Sequence, residues 1–192
     1  ISKMSKPISY YGIQSFKIKP AILSGENVGS LPDFEDMTDG YEFTAIADAS
    51  VSINQTEASK NEIFIENART AYMTLDGTPG SKSIVLSSYD HSPEAQKYLF
   101  GSTIETDAKG NTVVKETPNY KLGNQAIEIV TLAQNGHPSR RICYANVEAS
   151  VIESGTIGRG GLSSYQVTFT IVSNYDKNGQ VIGNKEETLL EK

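Results

Sequence analysis

The chain has 192 residues, 38% of them hydrophobic, and a formal charge of −6 with a pI near 5.0. That length suits one domain of ordinary size with arms, and the acidic balance argues against a general nucleic-acid binder, which needs basic stripes to displace counterions. A single cysteine excludes an internal disulfide and a cysteine-based zinc site, and no apolar run approaches the length of a membrane-spanning helix.

Residues 1–22 are mildly basic, with Lys3, Lys6, Lys17 and Lys19 and no acid among them, and "YYGIQSFKIK" reads as one extended strand or arm. The layout of a signal peptide is missing there, which together with the lack of disulfides fits synthesis in a reducing cytosol. The sign then flips. "SGENVGSLPDFEDMTDG" (24–40) carries Glu26, Asp33, Glu35, Asp36 and Asp39 without a base. Its Gly and Pro content predicts a long acidic loop, functional or simply a solvated excursion.

From residue 42 the alternation is plain. In "EFTAIADASVSIN", Ala45, Ala47, Ala49, Val51 and Ile53 fall on one face and mostly polar residues on the other, which predicts a half-buried strand. Further strands are expected at 62–66, 71–75 and 81–89. "SSYDHSPEAQKYLFG" then predicts one short helix over about 91–101. Ser92 suits the N-cap, Pro93 the first helical position, Glu94 the positive dipole end and Gly101 the stop. Its Ala95–Tyr98–Leu99 stripe is too short to persist in water and must dock on a sheet.

After the helix, 102–116 reads as a hairpin turning at 107–111, followed by strands at 126–134 and 140–154 joined by "NGHPS". In the second of these, Cys143, Ala145, Val147, Ala149 and Val151 are expected on one apolar face, which makes Cys143 a buried, inert thiol. A strand at 163–175, the turn "DKNGQ", a last short strand and a polar tail (183–192) complete the chain. The sum is a single mainly β unit over 1–192, an antiparallel β-sandwich or barrel with one flanking helix.

The chemistry is sparse. His91 and His137 read as exposed turn residues, and no Gly-x-Ser-x-Gly elbow or metal-ligand spacing accompanies them. "GTIGRGG" (155–161) has glycines like a phosphate cradle, but no helix follows it. It reads as a flexible hairpin tip with Arg159 open to a partner. "DAKGN" and "DKNGQ" look superficially like calcium loops yet lack the spaced acids and closing Glu. Arg140–Arg141 reads as a surface charge pair, and Asp48 as a polar-face residue. These residues predict no catalytic residue, no metal site and no cofactor.

The order of elements adds a resemblance. "SIVLSSYDHSPEAQKYLFG", "AIEIVTLAQNGHPSRRICYANVEASV" and "SSYQVTFTIVSN" resemble the tail tube (major tail) proteins of long-tailed bacteriophages and of phage-derived contractile machines. In that family a strand leads to a Ser/Thr-Pro helix start and a Leu-Leu-Gly helix end. Paired strands follow, with a G-x-x-x-R-x-x-Y-x-N-V passage, here Gly136, Arg140, Arg141, Tyr144, Asn146 and Val147. The similarity covers roughly 84–173, with "GIQSFKIKPA" as a weaker match, while the 24–40 loop and, within that span, the 102–116 hairpin do not align with the family.

The resemblance implies a non-enzymatic virion protein, assembled in the host cytoplasm and residing in the phage tail. Its copies would form hexameric rings stacked into a tube through which genomic DNA passes without specific binding. The implied partners are further copies of the chain, a tape measure, a tail terminator and, where the tail contracts, a sheath. No membrane partner is implied. Two alternatives remain: the tube of a contractile injection or secretion system, which passes protein, and a secreted β-sandwich adhesin or carbohydrate-binding domain. An enzyme is the weakest reading.

Overall fold

In the computed structural model, which describes residues 10–64, 66, 73–134 and 136–190, strand β1 (Ile13–Pro20) lies inside the main sheet. On one side it pairs with β9 (Asn124–Thr131), and on the other with the two-residue β2 (Tyr41–Glu42). β9 continues to β10 (Ser139–Ser154), then β11 (Ser164–Ile171), β6 (Lys82–Ser88) and β3 (Ser52–Gln55). Every one of these pairs is antiparallel, and the fold is mainly β with one short helix, as expected, without closing into a barrel.

Period-two patterning sets the inner face. Phe16 and Ile18 of β1, Ile127 and Ile129 of β9, Val167 and Phe169 of β11, and Ile84 and Leu86 of β6 form one buried cluster. Phe16 stacks on Phe169 at 5.3 Å, and Phe43 meets both rings edge-on. The helix α1 (Pro93–Phe100) covers part of this core with Ala95 and Leu99 fully buried. Its caps are those read from the sequence: Ser92 Oγ accepts from the Ala95 amide, and Gly101 ends the helix at φ 65°.

Three expectations are corrected. The strand expected over 42–54 is broken, because Ala45 and Ala49 have φ of 48° and 52°, values that interrupt a strand. That segment instead bonds to both ends of the sheet: the Phe43 amide to Phe16 O, and the Ala47 amide to Ser87 O. Secondly, Cys143 and Val147 do not share a face. A bulge between Tyr144 and Val147 adds a residue to β10 against β9, so Ile142, Tyr144 and Val147 all point to the core. Cys143 faces the opposite side, where it packs with Ala126 and Phe34. Thirdly, "KEETLL" in the polar C-terminal stretch is a strand, β14 (Lys185–Leu190), paired with the first half of β10.

Three hairpins form small sheets of their own: β4 (Lys60–Ile63) with β5 (Met73–Asp76), β7 (Thr103–Thr106) with β8 (Thr112–Lys115), and β12 (Asn174–Tyr175) with β13 (Val181–Ile182). The strands expected at 62–66 and 71–75 correspond to β4 and β5. Positions 65, 71 and 72 of that expectation lie outside the described residues.

Candidate functional site

The two histidines lie apart from one another in the fold, and both are half-buried, where the sequence suggested full exposure. His91 sits at the foot of the helix, its Nδ1 against Tyr89 O and its ring edge-on to Tyr165 at 5.5 Å. His137 lies in the turn before β10 and exchanges backbone bonds with Gln134. Asp90 has a structural task. It accepts hydrogen bonds from Tyr41 Oη (2.6 Å), Thr44 Oγ1 (2.9 Å) and the Ser92 amide (3.0 Å). Burial pushes its carboxyl upward, but those donors outweigh it and hold the group below its ordinary value. Burial and the Asp90 contact push the Tyr41 hydroxyl far upward, so it stays a donor.

The two calcium-like loops share one turn. Asp107 Oδ1 accepts from the amides of Lys109 and Asn111, and Asp176 Oδ1 accepts from those of Asn178 and Gln180. Gly110 and Gly179 supply the positive φ that closes each turn. Each carboxylate is thus turned inward on its own hairpin. Among the described residues, no group of three His, Cys, Asp or Glu side chains is placed to hold a metal ion.

Arg140 and Arg141, read from the sequence as a surface charge pair, are half-buried, and each holds a carboxylate of its own. Arg140 binds Glu187 at 2.6 Å and lies over the Tyr10 ring, while Arg141 binds Glu128. Burial works against the Arg141 charge, and the Glu128 carboxylate overrides it and raises its pKa. Burial pushes the Cys143 thiol up to about 11, which suits the inert role expected of it.

Asn146 was singled out only within a family-like passage, and the structure gives it a physical purpose. β14 and β11 lie on the same side of β10, one after the other, and leave a gap in the ladder where they part. Asn146 and Asn184 bridge that gap: the Asn146 amide donates to Asn184 Oδ1, and Asn184 Nδ2 donates to Asn146 O and Val172 O. Asn146 Nδ2 adds Ser173 O, and Asn124 Nδ2 donates to Asn146 Oδ1. The sequence offered no local signal for this, because the need arises from pairing between distant strands.

The surface holds the unabsorbed chemistry. On the β4–β5 hairpin the register sets Ile63 opposite Met73 and Asn61 opposite Leu75, which gives one largely apolar face and one polar face. Ile63, Met73 and Leu75 are all exposed. The β10–β11 hairpin ends in the glycine-rich tip, where Ile157 is 93% and Leu162 72% exposed. An open groove of about 650 Å³ lies between residues 10–13, residues 46–53 and the ends of β9 and β10, with Ile13, Ile46, Val51, Ile53, Ile129 and Ile142 among its walls. Asp48 lines it as an exposed side chain in this irregular segment. Among the described residues no helix is long and apolar enough to cross a membrane.

No family model and no curated protein matches the chain. Among solved structures it is similar to a chain of the anti-feeding prophage tube-terminating cap, at 12% identity over 99% of this chain and 100% of that one, with a TM-score of 0.41. A chain of the anti-feeding prophage baseplate is similar at 12% identity, 96% and 97% coverage and a TM-score of 0.35. A type six secretion system protein is similar at 12% identity, 95% and 96% coverage and a TM-score of 0.32.

Proposed function

We propose that the chain is a structural subunit of a phage-type tail tube, whose copies form hexameric rings that stack into a hollow conduit for DNA. The observation that carries this reading is the placement of exposed apolar side chains on elements that leave the main sheet. Ile63, Met73 and Leu75 on one hairpin face, and Ile157 and Leu162 on a hairpin tip, are surfaces that a lone chain in water has no use for. Assembly buries them. The element order supports the reading as well, with the Ser92-capped helix lying between a sheet strand and the paired strands β9 to β11.

The role asks nothing of a catalytic residue or cofactor. It asks for a wall that does not hold DNA, and a chain with net charge −6 repels phosphate. The reading is tested by negative-stain microscopy of concentrated protein. Stacked rings with a six-fold end view are expected, and a monomer at every concentration overturns it. Retention on immobilised DNA at low salt is expected to be weak. Strong retention argues against the conduit.

A further inference from the structure

The tip of the β10–β11 hairpin and the groove beside residues 46–53 are separate surfaces, and no residue of 155–162 is among the groove's walls. Ile142, near the start of β10, lines the groove, and the tip begins beyond Ser154 at the end of the same strand. At about 3.3 Å of rise per residue, Ile142 and Ser154 stand up to about 40 Å apart, while the 46–50 wall lies nearer the tip, because Ile46 bridges Ser88, Ser88 pairs with Tyr165 and Tyr165 with Glu153. In this chain the tip is not seated in the groove, since Ile157 and Leu162 stay exposed.

The two surfaces are complementary. The tip presents Ile157 and Leu162, the two most exposed large hydrophobic side chains of the described residues. A Cβ built on either Gly158 or Gly160 would meet nothing within 4 Å, so the tip stands clear of its own chain. Between the two hydrophobics lies Arg159, the single charged residue of 155–162. The groove is walled by branched aliphatic side chains, and Asp48 is the single Asp, Glu, Lys or Arg among its lining residues. Apolar knob meets apolar hollow, and one cation meets one carboxylate.

We propose that the groove receives the β10–β11 tip of a second copy of this chain, with Ile157 and Leu162 against Ile46, Val51 and Ile53, and Arg159 on Asp48. The contact joins two different patches, so it is head-to-tail and can repeat from copy to copy. It rests on the reading that copies self-assemble, and it names the contact through which they do so. The burial of Ile157 supplies the affinity, and the Arg159–Asp48 pair fixes which end meets which.

The test uses the full chain and sedimentation velocity across a concentration series, with electron microscopy of the same samples. Ile157→Asp is expected to raise the concentration needed for association roughly 30-fold. Asp48→Arg and Arg159→Asp are each expected to raise it about tenfold, and the two together in one chain to restore association to within about threefold of the parent. All three positions are exposed, so an unchanged thermal midpoint verifies that each variant folds. Parent-like rings and tubes from Ile157→Asp and Asp48→Arg would overturn the tip contact and leave the tube reading standing. Head-to-tail association that Ile157→Asp abolishes, without six-fold rings, would do the reverse. A parent chain that stays monomeric overturns both.

Discussion

The acidic loop 24–40 and the β4–β5 hairpin invert what their sequences suggest. The loop has no periodicity and no regular strand, yet it is fastened to the outer face of the sheet. Phe34 is buried against Ala126 and Cys143, with Leu31 packed beside them. Lys19 is nearly buried beneath the loop, where its ammonium bonds to Asp33 O at 2.9 Å, to Asp36 O, and to the Asp39 carboxylate at 2.8 Å. Lys17 reaches Phe34 O. The hairpin, by contrast, has regular pairing, and all eight residues of its two strands are exposed. Regular backbone and attachment to the body are separate properties, and periodicity reports only the first.

That contrast breaks most visibly at Phe34. Phe34→Ala is expected to cost about 3 kcal/mol, and to lower the thermal midpoint of the isolated chain by roughly 10 °C. A loss under about 1 kcal/mol would mean the loop is not held by this ring. Next comes Lys19→Met, which keeps the stem and removes the ammonium. It should cost about 2 kcal/mol, and limited proteolysis should cut within 24–40 faster than in the parent.

Acid offers a smaller version of the same test. Hydrogen bonds from the Thr38 hydroxyl and amide hold the Asp36 carboxyl below its ordinary value of 3.8. A depressed carboxyl contributes stability that is fully present above 3.8 and is lost as pH falls through the folded value. Protease sensitivity of the loop should therefore rise on acidification below 3.8, and Asp36→Asn should flatten that rise. The smallest effect is expected on the hairpin. Leu75→Ser should change the stability of the dispersed chain by less than about 0.5 kcal/mol, while it weakens assembly measured by sedimentation. A large loss of stability would show that the hairpin packs on its own body after all.

Much of this was legible beforehand, and what was not has physical causes. The helix was readable because capping is local: Ser92, Pro93 and Gly101 act within a turn of where they stand. The hairpin turns at 107–111 and 176–180 were readable for the same reason. The broken 42–54 strand was missed because two alanines in a left-handed conformation leave the alternation intact in the sequence. The face of Cys143 was missed because one bulge residue inverts parity for everything beyond it. β14 was missed because "KEETLL" shows no alternation, and its place is set by β10. The Lys17 and Lys19 clamp was hidden among residues that read as a basic arm. The groove was equally invisible, since its walls come from four separate stretches of the chain.

The seat of β1 within the sheet has a consequence for synthesis. Its partner β9 begins more than a hundred residues later, at Asn124. A ribosome adding about 5–20 residues per second leaves the β9-facing edge of β1 unpaired for roughly 5–20 seconds. The β4–β5 and β7–β8 hairpins emerge in that interval and pair within microseconds. The nascent chain thus carries finished ornaments before it has a body, with the edge of β1 open to neighbouring polysomal copies. A chaperone that shields the first 124 residues should raise the soluble yield of this protein, and slower elongation should lower it.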